Sequence, residues 1–180
     1  MNRSLVLSIL CDDKPGIVEV LARTINEHQG NWLESRLGQL CGKFAGILHI
    51  SVPEEQLEPL RNALQSLENQ RAIQSIVSDV QPLDPQPRTV SMNFSLMGND
   101  RPGIIREISQ AFASHNINLD ELTTSCTSMP WSGSPMFNAH GSLHIPEDVD
   151  LDSLSDQLDV IADQLGVDIE LRESESQRVE

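Results

Sequence analysis

Asp13-Lys14-Pro15-Gly16-Ile17-Val18 returns 87 residues later as Asp100-Arg101-Pro102-Gly103-Ile104-Ile105. The same offset carries His28 onto His115 and Asn31 onto Asn118, so the repeat spans a whole supersecondary unit. Upstream of each motif apolar residues alternate, first Leu5, Leu7 and Ile9, then Met92, Phe94 and Leu96. A period of two is that of a strand with one buried face. Downstream the spacing lengthens: Ile17, Leu21 and Ile25 are matched by Ile104, Ile108 and Phe112, which share one face of a helix.

Working outward, Asn31 to Leu40 and Asn118 to Ser128 read as extended segments. Alternation then resumes at Phe44, Gly46, Leu48, Ile50 and Val52, against Phe137, Ala139, Gly141, Leu143 and Ile145. The offset is now 93, which places six extra residues between the second and third strands of the second copy. Pro53-Glu54 and Pro146-Glu147 stop those strands. Leu57, Leu60, Leu64 and Leu67, then Leu151, Leu154, Leu158 and Ile161, each give the apolar stripe of a second helix. Short strands near Ile73 to Val80 and Val167 to Leu171 close the two copies. The expected fold class is α+β, two tandem ferredoxin-like βαββαβ domains whose antiparallel sheets are each covered by two helices. The expected divisions are a first domain at 1–80, a Pro-rich linker at 81–87, a second domain at 88–172 and a polar tail at 173–180.

Charge narrows the function. The chain holds 27 acidic against 12 basic side chains, a formal charge of -15. Direct binding of nucleic acid needs a basic stripe to displace counterions, so it is not expected. The acidity is uneven: residues 1–87 hold 7 basic and 11 acidic side chains (-4), residues 88–180 hold 5 and 16 (-11). Asp152, Asp156, Asp159 and Asp163 concentrate it on the last helix, as a solvated face or as steering toward a basic partner. No apolar run approaches the ~18 residues of a membrane span, and the start lacks the features of a signal peptide, so a cytoplasmic protein is expected. Cys11, Cys41 and Cys126 lack the spacing of a metal site and are expected as reduced, small apolar residues. His140 and His144 stand four apart on a strand, ~13 Å at ~3.3 Å per residue, too far to share one ion.

The repeated Asp-(Lys/Arg)-Pro-Gly turn, followed about fifteen residues later by Asn31 or Asn118, resembles the ACT domain family, small ligand-sensing modules of amino-acid metabolism. The resemblance covers nearly the whole chain as two copies. It implies that a ligand is touched by the turn and by the start of the second strand of a neighbouring unit. The matching positions are Asp13, Pro15, Gly16 and Asn31, and Asp100, Pro102, Gly103 and Asn118. Serine-sensing relatives carry His-x-Asn before the turn, where this chain has Cys11 or Gly98 and Asp13 or Asp100. An aspartate there would face a ligand's ammonium end, and Gly98 would leave space for a different contact. Asp13 and Asp100 also suit helix N-caps, worth about 1 kcal/mol, so ligand contact and helix initiation are both open to them.

Two ACT copies with no enzyme or DNA-binding domain imply a non-catalytic regulator that responds to a small amino acid, glycine being expected. It would repress transcription of the glycine cleavage system indirectly, by binding a DNA-binding activator protein, with a homodimer as one possible form. The alternatives are a ligand-free interaction scaffold and a regulatory subunit of an amino-acid metabolic enzyme. No cofactor or metal is implied. The inserted loop, with Met129 and Trp131 among Pro, Ser and Gly, supplies apolar anchors for a protein partner, unless Trp131 folds back onto its own sheet.

Overall fold

A computed structural model of the chain describes residues 1–80, 89–129 and 133–174. The expected linker at 81–87 and Trp131 lie outside the described residues. The chain divides into two compact units, Met1–Asp84 and Pro85–Glu180.

The first unit runs β1 (Asn2–Asp12), α1 (Ile17–Glu27), β2 (Asn31–Leu40), β3 (Lys43–Pro53), a 3-10 turn (Glu54–Gln56), α2 (Leu57–Arg71) and β4 (Gln74–Asp79). The second runs β5 (Thr89–Asn99), α3 (Ile104–Ser114), β6 (Asn118–Ser128), β7 (Pro135–Pro146), α4 (Leu151–Leu165) and β8 (Val167–Glu173). Both sheets are antiparallel throughout, ordered β2-β3-β1-β4 and β6-β7-β5-β8, so each unit is a ferredoxin-like α+β fold.

Register confirms the reading of the insertion. Leu7 pairs with Leu48 and Phe94 with Gly141, the same rung once offsets of 87 and 93 are applied. In the first unit β2 and β3 join through Cys41-Gly42 with φ of 49° and 76°, the two positive angles of a type I′ hairpin. In the second, residues 129–134 replace that dipeptide. One feature escapes the sequence: β2 and β6 each carry an extra residue, Leu33 and Asp120, which shifts their register against β3 and β7.

The alternating residues of β1, β3, β5 and β7 face the helices. Leu5, Leu7, Leu48 and Ile50 pack with Leu21, Ile25, Leu60 and Leu64 in one core. Phe94, Leu96, Leu143 and Ile145 pack with Ile108, Phe112, Leu154 and Leu158 in the other. Thr24 is the exception among the buried side chains of α1, and its hydroxyl donates to the Val20 carbonyl at 2.9 Å.

Helix ends are handled differently in the two copies. Asp150 caps α4 by accepting from the Asp152 and Ser153 amides, whereas α2 follows the 3-10 turn with no side-chain cap. Gly166 ends α4 at φ 63°, and Ala72 ends α2 at φ 54°, where a Cβ costs ~1–2 kcal/mol. Ala72→Gly should therefore raise the stability of the first unit by about 0.5–1 kcal/mol, net of glycine's greater unfolded-state entropy. A urea midpoint that stays put or falls would refute this account of the helix end.

The uncovered sheet faces also differ. In the first unit Leu10, Ile47 and Ile76 lie there, 46%, 50% and 69% exposed. At the corresponding face of the second unit Met97, 50% exposed, matches Leu10, while His140 and Glu170 stand where the first unit has Ile47 and Ile76.

Candidate functional site

Each motif turn follows the central strand of its sheet. The Asp13 amide donates to the Gly42 carbonyl at 2.9 Å and the Asp100 amide to the Pro135 carbonyl at 3.0 Å, pinning both turns to the end of the next hairpin. Gly16 and Gly103 then occupy the N-cap positions of α1 and α3 with φ of 91° and 103°. A Cβ at either would meet nothing within 4 Å, so the glycines are demanded by backbone angle and not by crowding. Neither helix has a side-chain cap, which removes helix capping as the role of Asp13 and Asp100. The first helical bonds run from Val20 to Gly16 and from Glu107 to Gly103, both 3.0 Å. The amides before them are the groups that a helix leaves to outside partners.

The surroundings of the two turns diverge. In the first unit a hollow of about 190 Å³ is lined by Cys11, Asp12, Lys14, Gly16, Arg71 and Ile73, among others. Lys43 bonds Asp12 at 2.5 Å and holds its carboxyl below the ordinary value. A depressed carboxyl adds stability above its unfolded pKa that is lost as pH falls through the folded one, and the exposure of both side chains keeps this pair weak. Burial, then Asp12 and Asp13, push the Cys11 thiol up; it donates to the Phe44 carbonyl at 3.7 Å. In the second unit Arg101 donates to the Gln164 carbonyl at 2.6 Å. The space expected at Gly98 does not exist: a Cβ there would lie 2.4 Å from Cγ1 of Val167. The missing side chain admits Val167, not a ligand.

Asn31 and Asn118 lie far from these turns within their own units. Asn31 pairs with Ser51, which pairs with Ser4, at the end of β1 opposite Asp12. Eight residues at ~3.3 Å separate the two ends by ~26 Å. Asn118 stands in the same relation to Asp100 through His144 and Ser91.

The cysteines are all free, but only Cys11 is buried; Cys41 and Cys126 are exposed, which corrects their expected role as small apolar residues. Desolvation and the Asp100 carboxylate, which also accepts its hydrogen bond, raise the Cys126 thiol. In a Cys41→Ser background, Asp100→Asn should speed alkylation of Cys126 by iodoacetamide severalfold at pH 8, because more thiolate is present. An unchanged rate would refute the contact.

His28 caps the C-terminal end of α1, its Nδ1 2.8 Å from the Thr24 carbonyl, while His115 places Nε2 2.9 Å from Oε1 of Gln157. His144 bonds Asp120, the bulge residue of β6. Among the described residues no three His, Cys, Asp or Glu side chains are grouped to hold a metal ion, and no helix is long and apolar enough to cross a membrane. Met129 is 41% exposed, and its carbonyl accepts from Gly133 at 3.0 Å. Arg71 is the lining residue that sequence reasoning missed. The repeat gives no signal for it, since Leu165 stands at the matching place in α4.

The ACT domain profile matches residues 3–77, and a second ACT domain profile matches 94–150, together more than two thirds of the chain. The chain belongs to the ACT domain family. Two solved structures resemble the chain over both units. An unknown protein from Galdieria sulphuraria matches with a TM-score of 0.87 at 24% identity, over 97% of this chain and 99% of that one. A candidate glycine cleavage system transcriptional repressor matches with a TM-score of 0.70 at 21% identity, over 96% of this chain and 97% of that one. At such identities the likeness is one of fold. No curated protein sequence matches the chain closely enough to mark a relative.

Proposed function

We propose that this tandem ACT protein is a non-catalytic, cytoplasmic regulator that binds a small amino acid, glycine in the first instance. In the proposal it represses glycine cleavage genes indirectly, by holding a DNA-binding activator. The observation that carries the sensing reading is the twice-built turn, with helix-opening amides left uncapped at Gly16 and Gly103. Such amides and the positive end of the helix suit a carboxylate. The likeness to the candidate repressor over nearly the full chain supports the choice of glycine cleavage as the controlled system. The formal charge of -15 supports action through a basic protein and against direct contact with DNA.

The ligand contacts are Asp13, Pro15, Gly16 and Asn31 in the first unit, and Asp100, Pro102, Gly103 and Asn118 in the second. Because Asn31 and Asn118 lie at the far ends of their own sheets, a ligand that touches both a turn and an asparagine is shared by two ACT units. Met129 and Trp131 are the proposed partner anchors. A homodimer belongs to the same proposal, supported by the apolar face of Leu10, Ile47 and Ile76 on the less charged unit.

Calorimetric titration of the full chain with glycine and the other amino acids tests the reading. Saturable heat at millimolar concentration or below is expected, lost in the Gly16→Val, Gly103→Val double variant. Either substitution alone costs ~1–2 kcal/mol of backbone strain, so circular dichroism must show that the variant is folded. Absence of heat for every amino acid would overturn the sensing role.

A further inference from the structure

We propose that the two repeats are unequal, and that a carboxylate is held in the first ACT unit alone, between Lys14 of the turn and Arg71 at the end of α2. This deepens the sensing reading and rests on it for the claim that the natural ligand is an amino acid. The pocket itself stands on its own observations.

Lys14 and Arg71 line one hollow of about 190 Å³. Neither forms an ion pair with a described residue. The one carboxylate on the lining, Asp12, is already bonded to Lys43. The remaining walls include Cys11, Ile17, Val20 and Ile73, each 9% exposed or less. Lys14 acts on the Asp12 carboxyl without pairing with it, so a single carboxylate faces Lys43, Lys14 and Arg71. That positive excess over an apolar floor favours an anion, since a charge-assisted bond strengthens where water is partly displaced. A chain with 12 basic residues in all sets two of them, both exposed, on the lining of this one hollow.

The second unit has dismantled each part. Arg101 replaces Lys14 but donates to the Gln164 carbonyl at 2.6 Å. Leu165 replaces Arg71, so the second cation is gone. Gly98 replaces Cys11, and Val167 occupies the room it leaves. The motif is therefore present twice while the pair of cations beside it is present once. Arg71 also suits the negative end of α2, a purely structural role. Stability would report that role and ligand affinity would not.

The test is an amide NMR titration of the full chain with sodium acetate, the bare carboxylate, and separately with glycine. Acetate should shift the amides of residues 14–18 and the Arg71 side chain saturably, leaving residues 101–105 unmoved. Arg71→Leu should weaken acetate binding about tenfold, the loss expected for one charged hydrogen bond. Arg71→Lys should restore most of it, and Arg101→Leu should leave it unchanged. Acetate binding without binding of any amino acid would leave the hollow standing and overturn the sensing role. Saturable acetate shifts at residues 100–104, no response to acetate at residues 14–18, or wild-type affinity in Arg71→Leu would each overturn the assignment of the carboxylate to the first unit.

Discussion

Phe112→Ala should cost the second ACT unit about 4 kcal/mol and leave the first unit unaffected. Phe112 has no exposed surface and lies among Phe94, Ile108, Leu143 and Leu154. Its ring meets that of Phe94 edge to face, centroids 5.4 Å apart at 63°. Truncating a buried phenylalanine costs ~3–5 kcal/mol, cavity included, and the aromatic pair adds ~0.5–1.5 kcal/mol beyond area. A unit of this size has only ~5–15 kcal/mol in total, so the loss should lower its thermal midpoint by ~15–30 °C. Because the two cores share no residue, amide exchange at α1 and β1 should stay at wild-type rates while α3 and β5 open. Ile25 occupies the matching place in the first core, so Phe112→Ile should recover more than half of the loss. A shift of only a few degrees, or equal loosening of both units, would contradict this picture.

The strands, helices and insertion were legible because each rests on local periodicity, which burial preserves. Leu5, Leu7 and Ile9 alternate in the sequence and are buried in the structure at 0%, 0% and 4%. What depends on contacts between distant segments was not legible. The extra residues Leu33 and Asp120 leave no mark on composition, because a bulge is defined only against the partner strand. Gly98 read as spare room, yet the room belongs to Val167, nearly seventy residues away in sequence. The motif turns were readable from Pro and Gly alone, whereas the difference between their hollows depends on Arg71 and Leu165, which lie on another helix and obey no motif.

Duplication makes these differences informative. The two units share order, register and turn, so any position where they diverge has been free to change without loss of the fold. The hollow beside Lys14, the open face carrying Ile47 and Ile76, and the hairpin Cys41-Gly42 belong to the first unit. The acidic helix α4, the open face carrying His140 and Glu170 and the longer loop belong to the second. Within the proposed function this divides the labour: the first unit holds the ligand's carboxylate, and the second carries the charge and loop that suit a basic protein partner.

Gly141→Ala should be among the most damaging single added methyls in the second unit, costing about 3 kcal/mol. The new Cβ would sit 2.1 Å from the Glu121 carbonyl oxygen and 2.7 Å from Cε1 of Phe94. Forced overpacking costs ~1–3 kcal/mol when side chains can move, and the first of these contacts is backbone. The matching rung of the first unit pairs Leu7 with Leu48, where this one pairs Phe94 with Gly141, so the larger ring occupies the volume that the glycine vacates. Phe94→Leu should therefore relieve the second contact and not the first. In a double-mutant cycle the two changes should couple favourably by about 1 kcal/mol, leaving the double variant still well below wild type. Full rescue would mean that the ring alone sets the constraint. The first unit meets the same constraint two rungs away: a Cβ at Gly46 would lie 2.0 Å from the Arg36 carbonyl oxygen. Each sheet thus needs one glycine where its edge strand closes over the core, and the repeats place it two residues apart.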